Sequence, residues 1–362
     1  GHRVKPNLKK EPNNNYEIIN NELQLIEEKV SKLFLYLKGN EIPFSVEKFN
    51  EIFENKEEII ENKFDFFICF EEYIEKGKLT KTPNTIKGQI TVKNYIETFS
   101  NETNFEVSFD RINDFFFDSI MIYSYQTKEI KQNYFAKIIK VLKSFLSWAS
   151  EKGYNTNREF EKFKAPEHDI DIVFLTFEEL MILYEKEFET ERLSHVRDFY
   201  CMGCFTGLRF SDLEKLHLAN ISEDHILLSI QKTKTQNHAI KLNKYAKAIL
   251  GKYKGTIYEP LPIISSQKFN EYIKECCELV EINQLFTIHW FVGNKKKSLT
   301  QPKYKFITSH TARKTFITNS LLLGMEPKAI KKIANIKKDA VLDKYMKVTE
   351  AFTDEQMDKA WR

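Results

Sequence analysis

Three short stretches carry side chains suited to act on an anion. The first reads Thr206-Gly-Leu-Arg-Phe-Ser-Asp-Leu213. Gly207 breaks a helical run there, Arg209 follows, and Ser211 or Asp212 can cap the next helix. The second reads His310-Thr-Ala-Arg-Lys-Thr-Phe316. If it is helical, residues 310 and 313 lie one turn apart on one face and can reach a single anion. The third reads Asp343-Lys-Tyr-Met-Lys-Val348 and offers the phenol of Tyr345. Only eight of the 55 basic residues are arginine. Lysine is the default cation, so each arginine carries weight, because its planar fork binds phosphate bidentately and lysine does not. Each stretch alone has a plainer reading: a helix joint with a surface arginine, an ordinary helix capped by Ser309, and a tyrosine among lysines.

The elements around these stretches are mostly helices. The chain has 362 residues, enough for two or three domains, and 42% of them are hydrophobic, which supports packed cores. Phe is abundant at 30, while 11 Gly and 9 Pro give little punctuation, a balance that favours helices. Residues 4–15 are polar and asparagine-rich and read as disordered. Ile19, Leu23, Ile26, Val30, Leu33 and Leu37 then form one stripe of an amphipathic helix ended by Gly39, and a shorter helix follows from Ser45. Thr85–Phe99 and Gln126–Trp148 read as helices, the second carrying Lys128, Lys131, Lys137, Lys140 and Lys143 beside an apolar face. Such a lysine face is commonly plain solvated surface and gains meaning only beside a DNA-handling domain. Glu161–Asp171 reads as an extended linker. Thr176-Phe-Glu-Glu179 is a capping box that opens a new domain. Ile226–Ile230 and Ala239–Leu242 alternate around a polar turn and predict a β-hairpin. From Ser266 onward the chain reads as mostly helical.

The net charge is only +3, so any nucleic-acid role must rest on where charges sit. The five cysteines are odd in number, and Cys276 and Cys277 are adjacent, which argues against a disulfide framework. Cys201 and Cys204 have metal-ligand spacing without a second pair, so a buried helix face is expected and no metal. No apolar run reaches the ~20 residues of a membrane span. No secretory leader is visible, and Gly1-His2 reads as a cloning scar. The expectation is a soluble protein of a reducing, cytoplasmic compartment with no membrane partner.

Taken in order, the three stretches and the hairpin resemble the tyrosine recombinase (phage integrase) family. The order is an arginine in Thr-Gly-Leu-Arg, a lysine on a hairpin, His-x-x-Arg, then a tyrosine just over thirty residues on. The resemblance spans most of the chain and is greatest to mobile-element integrases of the Bacteroidetes type. It implies a mainly α fold with a small β-sheet (α+β), arranged as a DNA clamp. Residues 1–60 would be the remnant of an arm-type DNA-binding domain and its coupling helix. Residues 61–160 would be a helical core-binding (SAM-like) domain, 161–171 a linker, and 172–362 a mixed α/β catalytic domain with a C-terminal tail. In that tail Phe352, Met357 and Trp361 suggest a last amphipathic helix, docked on a neighbouring protomer or packed in cis.

The resemblance also implies roles. Arg209 and Arg313 would clamp the non-bridging phosphate oxygens, with His310 a hydrogen-bond donor or general acid/base beside them. Tyr345 would attack, giving a 3′-phosphotyrosine and a free 5′-hydroxyl, with no ATP and no metal. A hairpin lysine, Lys234 or Lys232, would protonate the leaving oxygen, and Asp212 would support Arg209. Lys128, Lys131, Lys137 and Lys140 would touch DNA phosphates. No cofactor is implied. The implied partners are double-stranded DNA at specific attachment or inverted-repeat sites, three further copies in a homo-tetramer, and accessory DNA-bending proteins.

One departure stands out. The family's usual histidine or tryptophan, nine residues before the nucleophile and often within Gly-His, is replaced by Ile336, and the glycine is gone too. Isoleucine donates no hydrogen bond, a loss worth about 10- to 1000-fold in cleavage unless Lys337 or Asn335 substitutes. A DNA-binding protein of recombinase descent with weak or no catalysis is therefore the alternative. A helical interaction protein with no DNA role is a third reading that the low net charge permits.

Overall fold

The computed structural model describes residues 16–39, 43–54, 64–230, 235–347, 357 and 361. The asparagine-rich segment, Lys232, Lys234 and Phe352 lie outside these. Among the described residues the chain is mainly helical with two small antiparallel sheets, and it divides into two compact units. One comprises Gly1–His168 with Phe291–Lys295; the other comprises Asp169–Trp290 with Lys296–Arg362.

In the first unit the helices are α1 (Tyr16–Gly39), α2 (Val46–Glu54), α3 (Phe66–Lys78), α4 (Pro83–Thr103), α5 (Asp114–Ile122) and α6 (Gln132–Glu151). Their starts are set by local chemistry. Asp65 accepts from the Ile68 amide at 2.7 Å, Thr82 precedes Pro83 at the first turn of α4, and Asn113 caps α5. The core explains the high Phe content. Phe66, Phe70, Phe99, Phe109, Phe116 and Phe145 are all buried, and Phe70 stacks on Phe145 with ring centroids 4.1 Å apart. Along α1 the expected stripe is buried only at its far end: Leu33 and Leu37 are covered, while Ile19 and Ile26 are exposed.

The helix expected from Gln126 starts six residues later. Tyr123–Thr127 form a π-turn, Glu129 adopts a left-handed φ of 46°, and Lys131 is the N-cap of α6. The lysine run is therefore split between a joint and a helix. Lys128 donates to Glu102 (2.7 Å) in the joint, and Lys131 stands at the helix start. Lys137 and Lys140 are exposed on α6 itself. Lys143 is tied to the carbonyls of Glu161 and Phe163 at 2.8 and 3.2 Å.

The second unit opens with the Thr176–Glu179 capping box and α7 (Phe177–Glu185). Helix α8 (Glu191–Thr206) is the centre of the core; from Val196 onward every residue is buried. That includes Cys201 and Cys204, whose thiols burial holds far above their ordinary pKa. The short α9 (Phe210–Leu213) leads into a sheet of order β1 (Asn220–Ile221), β2 (His225–Ile230), β3 (Thr235–Lys241). Its register pairs Ile226 with Ile240 and Leu228 with His238. Next come α10 (Lys244–Tyr253) and α11 (Ser266–Leu279), and then a departure from expectation. Residues 285–302 are not helical: β4 (Leu285–Val292) and β5 (Lys295–Pro302) form a two-stranded ribbon. The Gly293-Asn294 pair between two runs of strand formers was the signal for it. The chain ends in α12 (Ser309–Leu322), α13 (Pro327–Ile333) and a helix, α14, over residues 339–347. Met357 and Trp361 are exposed, and the rest of the tail lies outside the described residues. Among the described residues no helix is long and apolar enough to cross a membrane.

Candidate active site

The site forms where α8 ends, α12 begins and α13 turns into α14. Gly207 closes α8 with a φ of 68°, which other L-residues adopt only with strain. Space demands glycine there as well. A Cβ on Gly207 would lie 2.5 Å from the Phe316 ring. This tight turn leaves the Gly207 carbonyl free to accept from Arg313 Nη1 at 2.7 Å. The arginine is thus held from behind by a backbone group.

Arg313 belongs to α12, which Thr308 caps through a reciprocal box with Thr311; Ser309, the expected cap, is the first helical residue instead. The Tyr200 hydroxyl lies 2.9 Å from that of Thr311 and ties α12 to α8. Arg313 is 6% exposed. Burial, with the charge of Arg209 beside it, pushes its pKa down to about 10, and Tyr345 and Asp212 act the other way. It is still a cation near neutral pH.

Arg209 is the N-cap of α9, so neither Ser211 nor Asp212 takes that place. Its Nη1 lies 3.8 Å from Asp212 Oδ2, an ion-pair distance too long for a hydrogen bond. Both atoms are buried without a hydrogen-bond partner. Burial raises the Asp212 pKa, and the Arg209 charge opposes the rise. A buried and a half-buried guanidinium beside one imperfectly matched carboxylate leave positive potential and an unused donor. That is the electrostatic signature of a site for an anion.

Tyr345 on α14 is 8% exposed and packs among Phe316, Ile317, Ile330, Ala334, Ile336 and Leu342. Burial raises the phenol pKa, and the Arg313 charge is the force that lowers it. His310 lies one turn before Arg313 on α12 and is exposed. Arg209, Asp212, Arg313 and Tyr345 are thus brought into one electrostatic group. His310 borders it by its place on α12. Lys137 and Lys140 belong to the other unit.

Ile336 gains a physical account. The end of α13 is a Schellman motif: the Ile336 amide donates to Lys331 (2.9 Å) and the Asn335 amide to Lys332 (3.1 Å). Asn335 takes the left-handed position at φ 47°, so asparagine does here what a glycine commonly does. Ile336, next in line, is 6% exposed and shares the apolar cluster with Ile330, the contact that this motif favours. Isoleucine at this place is a packing residue.

Sequence reasoning passed over His238. Its Nε2 lies 2.9 Å from the Ile333 carbonyl and must carry the proton to bond it. It is buried on β3 in step with Ile240. A polar residue in an inward strand position was the available signal.

The fold is similar to that of solved integrases and recombinases. Residues 65–165 match the model of the phage integrase SAM-like domain. A structure of the Tn1549 transposon integrase with transposon right-end DNA aligns at TM-score 0.55 and 16% identity, covering 77% of this chain and 93% of that one. A lambda integrase dimer bound to a COC′ core site gives 0.56 and 15%, with coverages of 78% and 95%. XerH recombinase in a post-cleavage complex with palindromic difH gives 0.58 and 12%, with coverages of 92% and 95%. No curated protein matches the sequence.

Proposed function

We propose that this chain, which has the tyrosine recombinase fold and carries a phage integrase SAM-like domain, is a site-specific DNA recombinase that cuts and rejoins strands through Tyr345. One observation carries the reading: the buried Arg313 and the half-buried Arg209, with one Arg209 donor unused, sit beside a buried tyrosine whose pKa burial raises and the Arg313 charge pulls back down. A scissile phosphate fits that arrangement. Its non-bridging oxygens take the donors of Arg209 and Arg313, and the charge added during attack is stabilised where water is excluded. The Tyr345 oxygen bonds to phosphorus as the bond to the 5′ oxygen breaks. His310 takes or relays the phenolic proton, and Lys234 or Lys232 supplies a proton to the leaving oxygen. The phosphotyrosine conserves the bond, so the reverse attack by a 5′-hydroxyl reseals DNA without ATP. Asp212 holds Arg209 in place.

The wider reading follows from the same chemistry. Residues 1–60 serve as the arm-type remnant and coupling helix, 61–160 bind core DNA, 161–171 link, and 172–362 catalyse. The two DNA-facing parts close on the duplex as a clamp, with Lys128, Lys131, Lys137 and Lys140 on phosphates. Four copies act on two duplexes to integrate or excise a mobile element in the bacterial cytoplasm, with DNA-bending proteins as helpers.

The test is covalent capture. The protein is mixed with nicked duplexes of random sequence, without metal or nucleotide, and resolved under denaturing conditions. A protein–DNA adduct is expected, and the captured sequences define the site. Retained DNA binding with no adduct would instead favour the second reading, a recombinase descendant that binds without cutting. Ile336 speaks for that reading, because it is buried in apolar packing and offers no donor to the phosphate.

A further inference from the structure

Asn335 does more than its backbone requires. A left-handed C-terminal position is filled at least cost by glycine. Here the residue has a side chain, and it is buried. Its Nδ2 donates to Thr235 Oγ1 at 3.1 Å, the first residue of β3. Its carbonyl faces Arg209 Nη2 at 3.5 Å, the long limit for a hydrogen bond. Three residues along β3, His238 donates to the carbonyl of Ile333, two residues before Asn335. The turn after α13 is therefore pinned to the start of β3 by two side-chain bonds and leans on the arginine of the phosphate site. Thr235 directly follows Lys234 in the chain.

We infer that Asn335 is a positioning residue that fixes the register of β3 against the Arg209 side of the phosphate site, and through that register governs proton delivery to the leaving oxygen. The inference rests on the recombinase reading. It assigns a role to the turn whose usual hydrogen-bonding side chain is replaced by Ile336. The donor contact is lost, and the turn instead braces the acid-bearing hairpin. Asn335 touches neither phosphate nor leaving oxygen in this role. Its effect passes through Thr235 to proton delivery.

That route has a chemical readout. With oxygen at the scissile 5′ position, cleavage breaks the P–O bond and the alkoxide must gain a proton. With sulfur bridging instead, the P–S bond breaks and the thiolate leaves without one, because a thiol is far more acidic than an alcohol. The duplex found by covalent capture is made in both forms. Asn335→Gly keeps the left-handed turn and deletes the amide. The expected result is a cleavage rate about 10- to 100-fold lower on the oxygen duplex and within about threefold of the unaltered protein on the sulfur duplex. Thr235→Val is expected to copy this pattern, and the double variant to be no slower than either single one. An equal fall on both duplexes, or no fall on the oxygen duplex, would overturn the inference. A misfolded variant falls on both, and the melting temperature of the Thr235→Val protein separates that case. If the unaltered protein forms no adduct on either duplex, the recombinase reading itself fails.

Discussion

The two sides of the candidate site are built differently. Arg313 stands on a floor: α12 packs on α8, which is buried from Val196 onward, and its guanidinium is braced by the Gly207 carbonyl at 2.7 Å. Tyr345 stands in a wall made of α13, α14 and a small apolar cluster, joined to β3 by side-chain bonds from Thr235 and His238. The floor fixes charge where it must not move. The wall rests on a smaller apolar cluster than the floor, one that it shares with Phe316 and Ile317 of α12. The proposed recombinase function calls for that asymmetry, because the phosphate would have to be held while the nucleophile engages and releases.

Removing the phenol with Tyr345→Phe takes the proposed nucleophile from the wall, and adduct formation is expected to vanish while DNA binding in a gel-shift assay persists. Arg313→Ala or Arg209→Ala removes a donor from the floor. Single-turnover cleavage is expected to fall by about 10²- to 10³-fold. Gly207→Ala attacks the floor through its backbone. The left-handed φ and the Phe316 contact together predict a loss of at least about 2 kcal/mol, read by denaturant unfolding.

The pH profile sharpens the contrast. Burial raises the Tyr345 pKa above the ordinary phenol value, so the phenolate fraction, and with it the cleavage rate, should keep rising with pH through the neutral and mildly alkaline range. Arg313 loses its proton at about 10, so the rise should end there. Smallest is the effect of Lys137→Ala with Lys140→Ala. It should weaken DNA binding evenly across sequences and reduce the salt slope by about 1 to 2, measured by fluorescence anisotropy.

Much of this was legible in the sequence because it is local. The Thr176–Glu179 box, the apolar face of the helix through Phe145 and the hairpin at Ile226–Leu242 follow from spacing alone. The Arg209 and Arg313 motifs were legible as an ordered set. What escaped depends on backbone exceptions and distant partners. Glu129 turns left-handed and splits the lysine run between a joint and α6. The ribbon of residues 285–302 was lost in a stretch read as helical, although Gly293-Asn294 marked its turn. Ile336 looked like a bare loss until the Schellman geometry gave it a packing role, and His238 bonds a carbonyl 95 residues away. No local window holds that pair.

The central claim is that Tyr345 becomes covalently joined to DNA. The most direct measurement is peptide mapping by mass spectrometry of the adduct, after nuclease digestion. The account predicts a nucleotide carried through a 3′-phosphate on the peptide containing Asp343-Lys-Tyr-Met-Lys347 and on no other. A nucleotide on a different residue, or an adduct that survives Tyr345→Phe, would contradict it.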